Sequence, residues 1–208
     1  MSSFDAFNEI LQRDEPLAPY TWLNLGGPAQ YLFTPRSIDE LTELVRALNA
    51  SQTPIRILGG GSNLLVKDEG VSGAVIRLTS PAFAEVSIEG SRVRAGCGAL
   101  LSHVISETVR LGLAGFENLA GIPGTVGGAL AGNSGGRLGE ISQLIDRVTG
   151  LTLLGERVIR TKVITGFLWY WLYPNAVYHN DSLARKNQRL ALIIYTSLGK
   201  FFCVSSQR

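Results

Sequence analysis

The sequence predicts an α+β fold, and two observations lead there. Residues 28–78 alternate strand and helix in a β-α-β-loop-β order. Residues 84–95 and 144–162 each read as a hairpin of short apolar strands. A chain of 208 residues can hold one large domain or two small lobes with a sizeable core.

The elements follow in order. Phe4, Phe7, Ile10 and Leu11 recur at helical spacing over residues 4–12. Residues 28–34 read as a strand. Residues 37–50 form the clearest helix. Ser37 and Glu40 make a capping box, and Ile38, Leu41, Leu44, Val45 and Leu48 make one apolar face. Strands follow at 55–58 and 74–78, then at 84–88 and 91–95 around Glu89-Gly90-Ser91. A helix runs from about Ala99 to Leu111 and stops at Gly112. The last hairpin joins LTLL to RVIR through Gly155-Glu156. No repeat or low-complexity run interrupts this order.

Two glycine clusters stand out. In RILGGGSNLLV, residues 56–66, a strand runs into Gly59, Gly60 and Gly61, then Ser62 and Asn63. Glycine lacks a Cβ and tolerates positive φ, so a ligand can approach the backbone. Successive N–H groups in such a turn can bind an anion. The run lacks the Lys-Ser/Thr of a mononucleotide loop, and Leu64 stands where the dinucleotide fingerprint needs its last glycine. A tight turn between strands explains it as well. The second cluster is GIPGTVGGALAGNSGG, residues 121–136. Pro123-Gly124 makes a turn there, and a short helix through Ala129 would expose N–H groups suited to a pyrophosphate. Close packing alone is the competing reading. Together the two loops could grip a dinucleotide from two sides.

Four segments carry a resemblance. They are PYTWLNLGGPAQYLF at 19–33, ILGGGSNLLVKDEGVSGAVIRL at 57–78, RAGCGALLSHVI at 94–105 and GLAGFENLAGIPGTVGGALAGNSGG at 112–136. In order and spacing they resemble the UDP-N-acetylenolpyruvoylglucosamine reductase family, also called UDP-N-acetylmuramate dehydrogenase, over roughly residues 15–162. The resemblance implies a two-lobed flavin module of the vanillyl-alcohol-oxidase type, with FAD held between lobes at about 21–80 and 81–162 after a lead-in at 1–20. It implies reduction of FAD by NADPH, then hydride transfer to the enolpyruvyl group of a UDP-sugar, giving a peptidoglycan precursor. By position, it implies flavin contacts at Gly59, Gly60, Gly61, Ser62, Asn63, Leu64 and Leu65. Further contacts are implied at Gly121, Ile122, Pro123, Gly124, Thr125, Gly127 and Gly128, and at Asn133. Thr21 and Gly26-Gly27 match the family's opening motif. Glu117-Asn118 matches a polar pair that reads as structural.

The family continues with Phe-Gly-Tyr-Arg-x-Ser, then Gly-Ser-Phe-Phe, then a Glu near its C-terminus. These supply a substrate-binding Arg, a proton donor and a catalytic carboxylate. Here the chain reads VITGFLWYWLYPNAVYHND from Val163, and Phe201-Phe202 follows Lys200. No catalytic residue is therefore assigned. Composition changes at the same point. Only Gly166 and Gly199 of 24 glycines lie beyond residue 162, and four of six tyrosines lie there. Residues 163–208 are expected to be a poorly structured tail outside the family. A frameshift or premature end would produce such a tail. Four readings stay open: an active reductase, a non-catalytic flavin-binding fragment, another FAD oxidase or dehydrogenase with the same module, and a non-enzymatic interaction module.

The remaining composition sets bounds. The tail carries five basic residues against Asp181, so residues 1–162 hold 14 basic and 16 acidic residues and no basic stripe. The pI of about 8.6 is no argument for nucleic-acid binding. Cys97 and Cys203 lack metal-like spacing and read as reduced thiols of a cytoplasmic protein. The N-terminus lacks a signal-peptide pattern, and Pro174 breaks the longest apolar run of the tail below the roughly 20 residues a membrane span needs. His103 reads as a helix-surface or core-edge residue rather than a base, His179 has no motif, and Lys67-Asp68-Glu69 reads as a solvated turn. Arg137 reads as a surface residue or a phosphate contact.

Overall fold

A computed structural model describes residues 4–161 and the backbone of 190–198. Two sheets organise it. The first contains β1 (Leu11–Pro16), β2 (Pro28–Phe33), β3 (Ile55–Leu58) and β4 (Val71–Arg77), in the order β1-β2-β4-β3. β2 and β3 both run parallel to β4, while β1 closes the edge antiparallel to β2. Helix α1 (Ile38–Ala50) makes the crossover. The hydroxyl of its N-cap Ser37 accepts from the Glu40 N–H at 3.1 Å. Only that half of the expected capping box forms. The Glu40 carboxylate reaches one residue further back, to the Arg36 N–H and guanidinium. That guanidinium holds the Glu40 carboxyl below the usual carboxylate range.

The opening differs from expectation. Residues 5–10 form a 3-10 helix, and Leu11–Pro16 is a strand rather than lead-in. β1 is a solvent-facing edge, LQRDEP, with no alternation to betray it. Its partner β2 supplies the hydrogen bonds that define it.

The second sheet contains β5 (Val86–Glu89), β6 (Arg92–Gly96), β9 (Ile145–Thr152), β10 (Arg157–Thr161) and β11 (Leu190–Leu198). Between β4 and β5 lies the short helix α2 (Pro81–Ala84). Between β6 and β9 come α3 (Leu101–Arg110), α4 (Val126–Ala131) and a two-residue ribbon, β7 (Gly135–Gly136) with β8 (Gly139–Glu140). α3 stops before Gly112, whose φ of 70° suits only glycine comfortably, as its position in the sequence implied.

The sheet order is β10-β9-β11-β6-β5. β11 thus sits between β9 and β6, antiparallel to both. This corrects the expectation of a poorly structured tail for residues 190–198. Without β11, β6 and β9 would each present an unpaired edge. The run LALIIYTSL is itself apolar and β-branched, the pattern of a buried strand. The expectation for 163–189 and 199–208 lies outside the described residues.

One core lies under the second sheet, around Val93, Ala95, Val104, Phe116, Leu130 and Val148. Another lies between the first sheet and α1, and it takes in Phe83, Cys97 and Leu151 from the second half. Arg46 on α1 donates to the Leu154 and Gly155 carbonyls in the β9–β10 turn, at 3.3 and 3.2 Å. The two halves are thus tied by apolar contact and by hydrogen bonds.

Candidate functional site

The loop after β3 and the loop before α4 meet. A Cβ placed on Gly60 would lie 2.9 Å from the Gly124 Cα, and one on Gly59 would lie 2.8 Å from the Thr125 hydroxyl. The Ser62 hydroxyl donates to the Pro123 carbonyl at 3.3 Å. Loops sixty residues apart in the chain therefore touch through backbone, and glycine is what allows the approach. Positive φ is needed at Gly61 (65°) and Gly124 (105°), but not at Gly60. Gly61 is pinned from behind: its carbonyl accepts from the Trp22 N–H at 3.1 Å, and the Tyr20 carbonyl packs where a Cβ would go.

Among the described residues, the N–H groups of Gly60, Gly61, Ser62 and Asn63 donate to no acceptor of the protein, and neither do those of Gly124 and Thr125. Backbone donors in folded proteins are nearly always paired. Six unpaired donors on two touching loops form a set that anionic oxygens would satisfy. The start of α4 behaves otherwise than expected. Val126 and Gly127 donate to the Ala99 and Cys97 carbonyls, and Gly128 donates to the Thr125 hydroxyl that caps the helix. Those N–H groups are already taken, so the donors lie in the loop ahead of the helix. Gly127 owes its identity to packing, since a Cβ there would lie 2.8 Å from that of Cys97.

The other expected contacts divide. Leu64 and Leu65 are exposed beside the loop, and Trp22, Leu23 and Leu25 are exposed on the strand lead-in bonded to it. Thr21 is buried, and its hydroxyl closes the turn to Leu25 at 2.9 Å. Gly121, Ile122 and Pro123 form the approach to Gly124, and Gly121 has open space beside it. Asn133 takes φ 45°, and its side chain is engaged within the fold, donating to Glu140 at 2.6 Å and accepting from the Ser142 N–H. Glu117 accepts from the Gly115 N–H, a structural role like that expected of it. His103 is exposed on α3, Lys67–Glu69 forms an exposed turn, and Arg137 is exposed between β7 and β8. His179 and Cys203 lie outside the described residues.

Sequence reasoning passed over Arg77 and Tyr20. The Arg77 guanidinium covers the Tyr20 ring, 4.2 Å from its centroid. The Tyr20 hydroxyl donates to Glu15 at 2.8 Å, and that bond raises the phenol above its ordinary range. Arg77 ends β4 directly beside Leu58, the residue before Gly59. A cation at the end of a strand next to a glycine loop was a readable signal.

A family model described as an FAD binding domain matches residues 29–157. The chain belongs to that family. The cofactor expected from the sequence, FAD, is the one the family is described by, and the fold is the expected α+β flavin module of the vanillyl-alcohol-oxidase type. The resemblance read from the motifs also holds. The chain is 44% identical over 158 residues to UDP-N-acetylenolpyruvoylglucosamine reductase of Phenylobacterium zucineum, covering 76% of this chain and 52% of that protein. It is 40% identical over 185 residues to the same-named protein of Lactobacillus delbrueckii subsp. bulgaricus, covering 88% and 57%. The crystal structure of the Thermus caldophilus enzyme superposes with a TM-score of 0.68 at 33% identity, over 91% of this chain and 61% of that one. The chain spans about half the length of the curated relatives it matches. An alignment over 88% of the chain is longer than residues 1–162 can supply, so similarity does not stop at residue 162 in every relative.

Among the described residues, no helix is long and apolar enough to cross a membrane, and no three His, Cys, Asp or Glu side chains cluster to hold a metal.

Proposed function

We propose that residues 21–162 act as a flavin-binding domain that holds the FAD pyrophosphate on the unpaired N–H groups of Gly60–Asn63 and of Gly124-Thr125. The observation that carries this is the convergence of the two glycine loops with six backbone donors unpaired. A pyrophosphate offers several anionic oxygens, and backbone donors fixed by the fold need little reorganisation to meet them. Leu64, Leu65, Ile122 and Pro123 flank the donors and would supply apolar contact, while Asn133, expected as a contact, has its side chain bonded to Glu140 and Ser142. The test is Gly60→Val. Its side chain would force the loops apart against Gly124, so FAD uptake should be lost, while unchanged affinity would contradict the assignment.

By likeness to its relatives, the domain would serve UDP-N-acetylenolpyruvoylglucosamine reduction in peptidoglycan synthesis, and with it cell shape and division, in the cytoplasm. Bound FAD would supply a two-electron carrier between NADPH and the enolpyruvyl group of the UDP-sugar. This chain's own residues would hold the diphosphate on backbone N–H groups fixed by the two touching loops. A flavin-binding domain without turnover of its own is the second reading, and it rests on the stretch from Val163, which reads VITGFLWYWLYPNAVYHND where the family has its Arg segment. The alternative, another FAD oxidase or dehydrogenase, would need a substrate-binding surface of different chemistry.

A further inference from the structure

The structure assigns Arg77 as a cationic partner of the diphosphate bound at the glycine loop, an inference that rests on the flavin site proposed above. Arg77 is half-buried, and its Nε is fully buried with no hydrogen-bond partner. Among the described residues, its guanidinium makes no ion pair; the neighbouring carboxylate, Glu15, instead accepts from the Tyr20 hydroxyl. A buried guanidinium N–H with no acceptor costs free energy, and buried charges are ordinarily paired or bound to a ligand.

Its place gives the ligand class. The Arg77 Cα is registered against Leu58, where β3 enters Gly59. Its guanidinium lies on the Tyr20 ring, and the carbonyl of that same Tyr20 packs on Gly61. Arg77 is therefore joined to both flanks of the loop that presents the unpaired N–H groups, through its backbone at Leu58 and through residue Tyr20 at Gly61. Arg matches phosphate with a planar fork of donors, and stacking on an aromatic face restricts its motion without occupying those donors. Neutral flavin parts make no comparable demand for a cation.

The experiment compares the 208-residue chain with its Arg77→Gln variant, titrating each with FAD, riboflavin and UDP-N-acetylglucosamine. Charged hydrogen bonds contribute enough that Arg77→Gln should weaken FAD by about 10-fold or more, with riboflavin unchanged. Arg77→Lys, which keeps the charge but not the fork, should recover part of the loss. Equal FAD affinity in Arg77→Gln overturns the assignment, as does a loss confined to UDP-N-acetylglucosamine or one shared by riboflavin. Should Arg77→Gln fail to fold, Arg77→Met, an unbranched apolar side chain without the charge, is read in the same way. Should neither fold, phenylglyoxal labelling of the unmutated protein decides: protection of Arg77 by FAD but not by riboflavin supports the assignment, and equal labelling overturns it. If the unmutated protein takes up no FAD, the flavin site itself fails, which differs from a failure at Arg77 alone.

Discussion

Three neighbouring glycines are required for three different reasons. Gly59 leaves room for the Thr125 hydroxyl, Gly60 for the Gly124 backbone, and Gly61 takes a left-handed turn against Tyr20. The sequence made the run legible as a loop, but each reason depends on a residue distant in the chain. Cys97 is a second case of this kind. It reads only as a free thiol, yet it is 5% exposed beneath Gly127, and burial pushes its thiol up to about 12 from an ordinary value near 9. The folded state therefore keeps a proton that the unfolded chain releases above about pH 9. Stability from this source is complete below pH 9 and falls as pH rises towards 12. The difference in urea midpoint between the native protein and Cys97→Ala should accordingly shrink over that range. A difference independent of pH would show that the thiol titrates normally in the folded state.

At the scale of elements, those with a strong period were legible and those defined by a partner were not. α1 carries its cap and apolar stripe in thirteen residues, and its bounds match the reading within a residue. β1 has no such signature, being a polar edge, and β11 reads as an apolar strand whose sequence does not say that it inserts between β9 and β6. The helix start at α4 was read as an anion site, but the carbonyls of Ala99 and Cys97 claim its donors first. The position of β11 leads to a deletion test. Removing residues 163–208 takes away the strand that joins β9 to β6 and leaves two open edges. The shortened chain should unfold at lower urea and associate more readily, measured by denaturation and light scattering. An unchanged midpoint with a monomeric product would mean that β11 contributes nothing to the sheet.

At the scale of the whole molecule, the arrangement supplies one function well and another poorly. Two α+β halves, tied through Leu151, Cys97 and Arg46, bring two loops together and leave their donors facing no partner. Hydride transfer to an enolpyruvyl group further needs a group to stabilise developing charge and one to deliver a proton. Where the family has its substrate-binding Arg, this sequence reads VITGFLWYWLYPNAVYHND from Val163, without one. With NADPH and the UDP-sugar, turnover should stay at background, and rates of even about 1 per second would show other residues in those roles. The central claim is cofactor binding, and titration of the purified full chain with FAD, followed by flavin fluorescence and visible absorbance, tests it most directly. One FAD per chain with saturable binding is the expected result. A chain that folds cooperatively yet neither carries nor takes up FAD would contradict the account.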